Sequence, residues 1–366
     1  MGYAVIKGGQ EAVKMAEKLV DYFRLNESKD LGSLSTELIE KQLRFAVYKV
    51  MSEGSLYDPL LAAMAIKQAE GDLIEASFII RAFRTATPRW GYSAPIDSSK
   101  MRIVRRVSST FREVPGGQCL GPTRDYTLRI LKPELASEDS ERVNSLLDFW
   151  KDISSEKQPD MPKIVDILRQ IRLVAAASEE PEGQIHDITK NAMRFPNPSR
   201  SARLQSLSRG ESGAMVALAY SSLRGYGHVH PTLAELRVGY VPVTIIHPWT
   251  GDEVCIGEIL ITECHAIIVG VHMLRAIEKN GDLYFELGYG AVFGQEERKA
   301  ISMAILDASM TTDEPKAPAE DKEFVLYHID GVESSGFVDH IKLPHYLHFT
   351  SALDRMKAFK EVTSDE

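Results

Sequence analysis

A change of hydrophobic period part-way along the chain constrains its fold more than any other feature. Up to residue 83, apolar residues recur at helical spacing. Ala12, Met15, Ala16, Leu19, Val20 and Phe23 form one stripe, and Ile39, Leu43, Ala46, Val47 and Val50 form a second. From residue 102 the period becomes two, with Ile103, Val107 and Phe111 on one parity and Arg102, Arg106 and Arg112 on the other. Helices first and strands later predict an α+β protein with a helical N-terminal unit, followed by mixed units containing antiparallel hairpins. The boundaries fall at 1–90 for the helical unit, 91–198 for a small strand unit with a linker or insert, and 199–366 for a mixed α+β catalytic and metal-binding unit.

Within the first unit the pattern predicts a short strand and four helices. Asp58-Pro59 starts the third, Gly71 stops it, and Asp72 with Glu75 caps the fourth, whose buried face is Ala76, Ile79, Ile80 and Phe83. The basic parity of the 102–112 strand reads as an outer face, either solvated or turned to an acidic partner. Pro115-Gly116-Gly117 leads to a second strand at Tyr126, Leu128 and Ile130. Residues 136–162 and Glu179-Glu180-Pro181-Glu182-Gly183 read as linker around a helix at 164–171.

From 199 a helix with Arg200, Arg203 and Arg209 stops near Gly210, and Ala214–Leu223 is apolar nearly all round, the mark of a buried helix. Strands follow at 238–247, 254–263 and 266–275, and Asn280-Gly281 turns a hairpin into Leu283–Leu287. Gly288-Tyr289-Gly290-Ala291-Val292-Phe293-Gly294 then leads to a helix at 295–309. Strand, glycine loop and helix is a context for cradling phosphate, although Glu296 and Glu297 in the first turn oppose an anion.

The net charge of -9 argues against nucleic acid or an anionic membrane as a general partner, so a polyanionic ligand needs a local arginine cluster. No window reaches 18 apolar residues and the start lacks a signal-peptide pattern, which predicts a cytoplasmic chain. Cys119, Cys255 and Cys264 read as reduced thiols rather than a disulfide framework.

The densest group of ligand-type residues is Asp339-His340-Ile341-Lys342-Leu343-Pro344-His345-Tyr346-Leu347-His348. Pro344 breaks any helix between His340 and His345, so a turn aims both imidazoles. The pair either holds a metal, completed by water, substrate or another subunit, or packs and hydrogen-bonds within an apolar loop. His228 and His230, two apart, offer a second metal pair or an ordinary turn. Taken alone, these residues fit an enzyme acting on a small phosphorylated compound, or a structural subunit that docks partners.

Several ordered segments resemble the PhnI subunit of the bacterial carbon-phosphorus lyase core complex. They are Ser199-Arg200-Ser201-Ala202-Arg203-Leu204-Gln205, Leu218-Ala219-Tyr220-Ser221 with Arg224-Gly225-Tyr226-Gly227, Glu297-Arg298-Lys299-Ala300, and Gly336–Tyr346. Val5-Ile6-Lys7-Gly8-Gly9 and Pro115-Gly116-Gly117-Gln118 match the same family. The resemblance implies an assembly with the other core subunits, in which the purine of ATP is displaced by a phosphonate such as methylphosphonate to give ribose 1-phosphonate 5-triphosphate. It implies nucleosidase activity on ATP or GTP for the subunit alone, Mg²⁺ bound with ATP, and a zinc site shared with the radical lyase subunit that maps onto His340 and His345. The alternative is a non-catalytic scaffold subunit of the same complex. On the matched segments, Arg200, Arg203, Arg224, Arg298 and Lys299 are candidates for the triphosphate. Glu263, at a predicted strand end, is the candidate carboxylate for the oxocarbenium character that develops at the ribose.

Overall fold

A computed structural model describes residues 9–26, 29–151, 161–175, 185–226, 230–269, 276–279 and 281–364. The helical unit comprises α1 (Gln10–Asn26), α2 (Thr36–Gln42), α3 (Arg44–Gly54), α4 (Pro59–Gln68) and α5 (Leu73–Ala86). The expected caps are in place: the Asp58 carboxylate accepts from the Leu61 N–H, and Asp72 accepts from those of Ile74 and Glu75. The helix expected across Ile39–Val50 is two, because Leu43 (φ -104°, ψ 40°) leaves the helical region and ends α2. That break lets Ile39, Val47, Val50 and Met51 enter one core with Ala62, Ile66, Ala76 and Ile80. Phe83, expected in that core, is exposed. The stripe of α1 is present, but no α1 residue is buried. The expected N-terminal strand lies outside the described residues.

Among the described residues five antiparallel strands form the sheet: β1 (Arg102–Val107), β2 (Pro231–Ile246), β3 (Glu253–Ile268), β4 (Ala276–Lys279) and β5 (Asp282–Phe293), in the order β1-β2-β3-β5-β4. The register places Arg106 opposite Arg237, Arg237 opposite Glu263 and His265 opposite Tyr289. Several expectations are corrected here. The strands expected at 254–263 and 266–275 are a single strand through Ile268. Tyr126, Leu128 and Ile130 lie in an exposed loop and pair with nothing in the sheet. The basic outer face of β1 is also overturned. A bulge between Ile103 and Arg105 changes parity, so Ile103 and Arg106 share a face although three residues apart, and Arg105 and Arg106 are both buried. Arg106 is wholly enclosed, 2.5 Å from Glu235, and donates to the carbonyls of Pro115, Gly117 and Pro162.

Between β1 and β2 the chain forms α6 (Ser140–Lys151), inside the expected linker, then α7 (Ile164–Gln170), α8 (Arg200–Arg209) and α9 (Ser212–Ser221). The helix expected to be buried all round is α9, yet only Met215 and Ala219 on it are buried, while Val216 and Tyr220, and Leu223 just beyond it, are exposed. After the sheet come α10 (Glu297–Ser309), α11 (Lys322–His328), α12 (Gly331–Asp339) and α13 (Tyr346–Ser364).

The expected glycine loop is strand: Gly288 and Gly290 belong to β5 and face α10. A Cβ on either would stand 2.1 Å from the carbonyl oxygen of Ala304 or Ala300, so glycine is what lets helix and strand meet. This replaces the phosphate-cradle reading. Ala300, Met303, Ala304, Leu306 and Ala308 pack there on Leu236, Cys264, Ala266 and Val292. The opposite face of the sheet carries two apolar clusters. One joins Ile164, Val165 and Leu168 to Ile267, and the other joins Met101, Ile103, Val241 and Ile261.

Candidate functional site

Between those two clusters the sheet face is charged. Residues two apart on a strand share a face, so Glu235 with Arg237 and Glu263 with His265 project together, and Tyr289 joins them from β5. The segment before α7 brings in Lys163, and the turn Ser98–Lys100 brings in Ser98. One oxygen of Glu263 accepts from the Ser98 hydroxyl at 2.6 Å and the Tyr289 hydroxyl at 3.3 Å, and Lys163 donates to Ser98. The other oxygen lies 3.6 Å from both Lys163 Nζ and Arg237 Nη1, within Coulomb range but beyond hydrogen-bond length. Among the described residues it has no hydrogen-bond partner, and neither do Arg237 Nε and Nη1 or His265 Nδ1, all of them buried. Buried polar atoms are ordinarily paired, so this concentration marks a place built for something besides packing.

Electrostatics fix the protonation states. Burial alone would raise the Glu263 carboxyl, but His265, Lys163, the Ser98 hydrogen bond and Arg237 outweigh it and hold it below its ordinary value, so it is ionised. Burial lowers His265 to about 4 against the opposing pull of Glu263, leaving a neutral ring tilted against Tyr289 with centroids 5.2 Å apart. Burial and Glu263 push the Tyr289 phenol up, so it keeps its proton. Cys264 points to the other face, where burial raises its thiol to about 12, as an inert structural cysteine.

The predicted anion-binding residues do not converge. Arg200 Nη2 is 2.6 Å from Asp307, which also accepts from the Tyr289 N–H, so this arginine braces α8, α10 and β5. Arg203 donates to the Pro198 carbonyl and leaves Nε unpaired. Arg224 is exposed in the turn after α9, and Arg298 is exposed in the first turn of α10. Arg298 and Asp307 are nine residues apart on α10, about 13 Å. Lys299 ends inside the protein, donating to Ser52 Oγ at 2.6 Å, and burial lowers it to about 8. These groups lie on α8 to α10, across the sheet from Glu263. The residues missed from sequence, Ser98, Lys163, Arg237, His265 and Tyr289, had one readable signal. Charged and polar side chains alternate at 235/237 and 263/265, which becomes visible only when 254–268 is taken as unbroken strand.

A separate pocket of about 210 Å³ opens beside Phe195, Arg209 and Tyr327, but its Asp330 carboxylate is already paired with Arg81 and Arg209.

The turn expected at the histidines is present, as a short 3-10 segment His340–Lys342 followed by Pro344. The rings of His340 and His345 have centroids 5.4 Å apart. Their Nδ1 atoms meet the carbonyls of Phe337 and Leu343, which leaves both Nε2 atoms free for a metal. His348 lies one step further, 6.4 Å from His345 by centroid. Among the described residues no three His, Cys, Asp or Glu side chains are grouped to hold a metal ion, so this pair fits half of a tetrahedral shell. His228 of the other expected pair lies outside the described residues.

A family model described as bacterial phosphonate metabolism protein (PhnI) matches residues 2–363. The chain belongs to the PhnI family. Alpha-D-ribose 1-methylphosphonate 5-triphosphate synthase subunit PhnI of Rhizobium meliloti is 42% identical over 363 residues, 98% of this chain and 95% of the relative. The Escherichia coli protein of the same name is 42% identical over 364 residues, 98% of each chain. HtxH of Stutzerimonas stutzeri, named for a C-P lyase subunit, is 46% identical over 366 residues, 99% of this chain and 96% of the relative. The relationship thus runs through every unit of this PhnI-family chain, including the segments carrying Glu263 and the histidine turn.

Proposed function

We propose that this chain is a subunit of a C-P lyase assembly in phosphonate metabolism, and that it takes part in displacing the purine of Mg-ATP with an alkylphosphonate to give ribose 1-phosphonate 5-triphosphate. The observation that carries this reading is an ionised carboxylate, Glu263, enclosed beside two cations in a site with unpaired hydrogen-bonding atoms, in a chain related end to end to synthase subunits. As the ribose C–N bond breaks, its electron pair leaves with the purine and positive charge grows on the sugar. A carboxylate fixed in a poorly hydrated site opposes that charge more effectively than water can. With water as nucleophile, the same site releases base from ATP or GTP as a nucleosidase.

His340 and His345 supply two ligands for zinc, with the remaining ones from water or from the radical lyase subunit. The bound ion would act there as a Lewis acid. Incubating the purified chain with Mg-ATP and following adenine by chromatography tests the enzymatic reading. Adenine with ribose triphosphate is the expected result. Adenine that appears only after the partner subunits are added means the site is completed between chains. None in either case would leave the scaffold reading, which the exposed apolar side chains of α1 and α9 favour. Zinc assay of the same samples, with and without His345→Ala, reads the metal site, and equal zinc in both would remove it.

A further inference from the structure

We infer that Arg237 and Lys163 form the subsite for the alkylphosphonate, which enters over Ser98 and lies against the free oxygen of Glu263. This rests on the base-displacement reading and names where the nucleophile sits. Arg237 is 2% exposed and its Nε and Nη1 make no hydrogen bond among the described residues, although guanidinium donors are among the costliest groups to bury unpaired. The Lys163 side chain, 15% exposed, and the half-buried Ser98 form the solvent edge of the cluster.

The neighbouring charges indicate the kind of anion. Arg106 and Glu235 neutralise each other, with both side chains fully buried, and His265 is uncharged. With Arg169 paired to Asp166, two cations among the described residues, Arg237 and Lys163, face one carboxylate, Glu263, leaving one net positive charge. That surplus suits a single tetrahedral oxyanion rather than a chain of three phosphates. A planar guanidinium with two donor nitrogens unpaired among the described residues and a point ammonium beside it match such a group. Glu263 Oε2, held by charge with no donor on it, can accept a hydrogen bond from a singly protonated phosphonate. On the same face, Met101, Ile103, Val241 and Ile261 offer an apolar wall, which inorganic phosphate would not use and an alkyl substituent would.

The test uses the assembled complex with Mg-ATP and methylphosphonate, and quantifies by phosphorus NMR the two products that share one sugar intermediate, the phosphonate adduct and the water-derived ribose triphosphate. Both come from whatever enzyme is folded, so their ratio does not depend on yield. Lys163→Met, at the solvent edge, is expected to lower the adduct-to-hydrolysis ratio about tenfold or more at fixed methylphosphonate, and Arg237→Met at least as far. Lys163→Met carries the test alone if the buried Arg237 variant does not fold. An unchanged ratio overturns the inference, as does an unchanged ratio with a raised KM for ATP, which would place the triphosphate on these cations. If the wild-type complex releases no adenine, base displacement itself has failed. The subsite is then decided by NMR titration with methylphosphonate and with inorganic phosphate. Methylphosphonate preferred by the wild type and lost in Lys163→Met upholds it, and equal binding by both proteins overturns it.

Discussion

Glu263 and His265 sit two residues apart on β3, share one environment, and respond to it in opposite ways. The carboxylate is kept charged because the neighbouring cations and a hydroxyl outweigh its burial, and the imidazole is kept neutral because burial strips its water, against the pull of Glu263 and with the cations repelling its protonated form. Glu263→Gln preserves shape while removing the charge. It should lower adenine release by about a hundredfold and, by stranding Arg237 and Lys163, destabilise the fold by about 3 kcal/mol. Rates and urea midpoints on the same preparations check both, and a full rate in the variant would dismiss Glu263 from the reaction. For His265 the folded value lies below the ordinary 6.5, so the unfolded chain binds the extra proton first and stability falls as pH drops from 6.5 towards 4. Between pH 6.5 and 5 the loss should approach about 2 kcal/mol, ahead of the Glu263 contribution, which disappears only below its own depressed value. His265→Leu should flatten that limb in melting curves recorded across the range. Glu263 was legible in the sequence because its chemistry was asked for. Arg237, Lys163 and Ser98 were not, because what unites them is cross-strand register and a returning loop, neither of which leaves a local trace.

Elements were legible wherever their signal is local. Asp58-Pro59 and Asp72 cap their helices as read, because a cap is a hydrogen bond made within four residues. The errors arose where a tertiary contact decides. Gly288 and Gly290 looked like a ligand loop, but they are strand glycines whose missing side chains admit the carbonyls of α10. Arg106 looked like surface until a bulge turned it inward to Glu235. The glycine contact makes a sharp prediction: Gly290→Ala must push the Ala300 carbonyl, and with it α10, away from β5. Backbone cannot yield as a flexible side chain would, so a loss of about 3 kcal/mol or more is expected in chemical unfolding. An alanine variant as stable as the parent would mean that the helix does not pack against the strand at that distance.

At the scale of the molecule, the chain keeps more apolar surface exposed than a protein acting alone has reason to. Met15, Leu19, Val20 and Phe23 of α1, Val143, Leu146 and Leu147 of α6, and Leu347, Phe349 and Met356 of α13 are all exposed. A helix whose apolar side chains are this exposed is marginal in water at these lengths, and a surface supplied by another chain that covers them is expected to order it. The family relationship to synthase subunits supplies such chains, and the histidine turn directly precedes α13. Hydrogen exchange separates the possibilities. In the isolated chain the amides of α1 and α13 should exchange close to the unfolded rate, while those of α10, buried along nearly its whole length, stay protected. Adding the partner subunits should slow α1 and α13 by at least about a hundredfold with α10 little changed. If both are already protected in the isolated chain, sedimentation of that sample must show a self-associated species. A protected monomer would mean that these helices fold back onto their own chain, and the partners would then have to dock elsewhere.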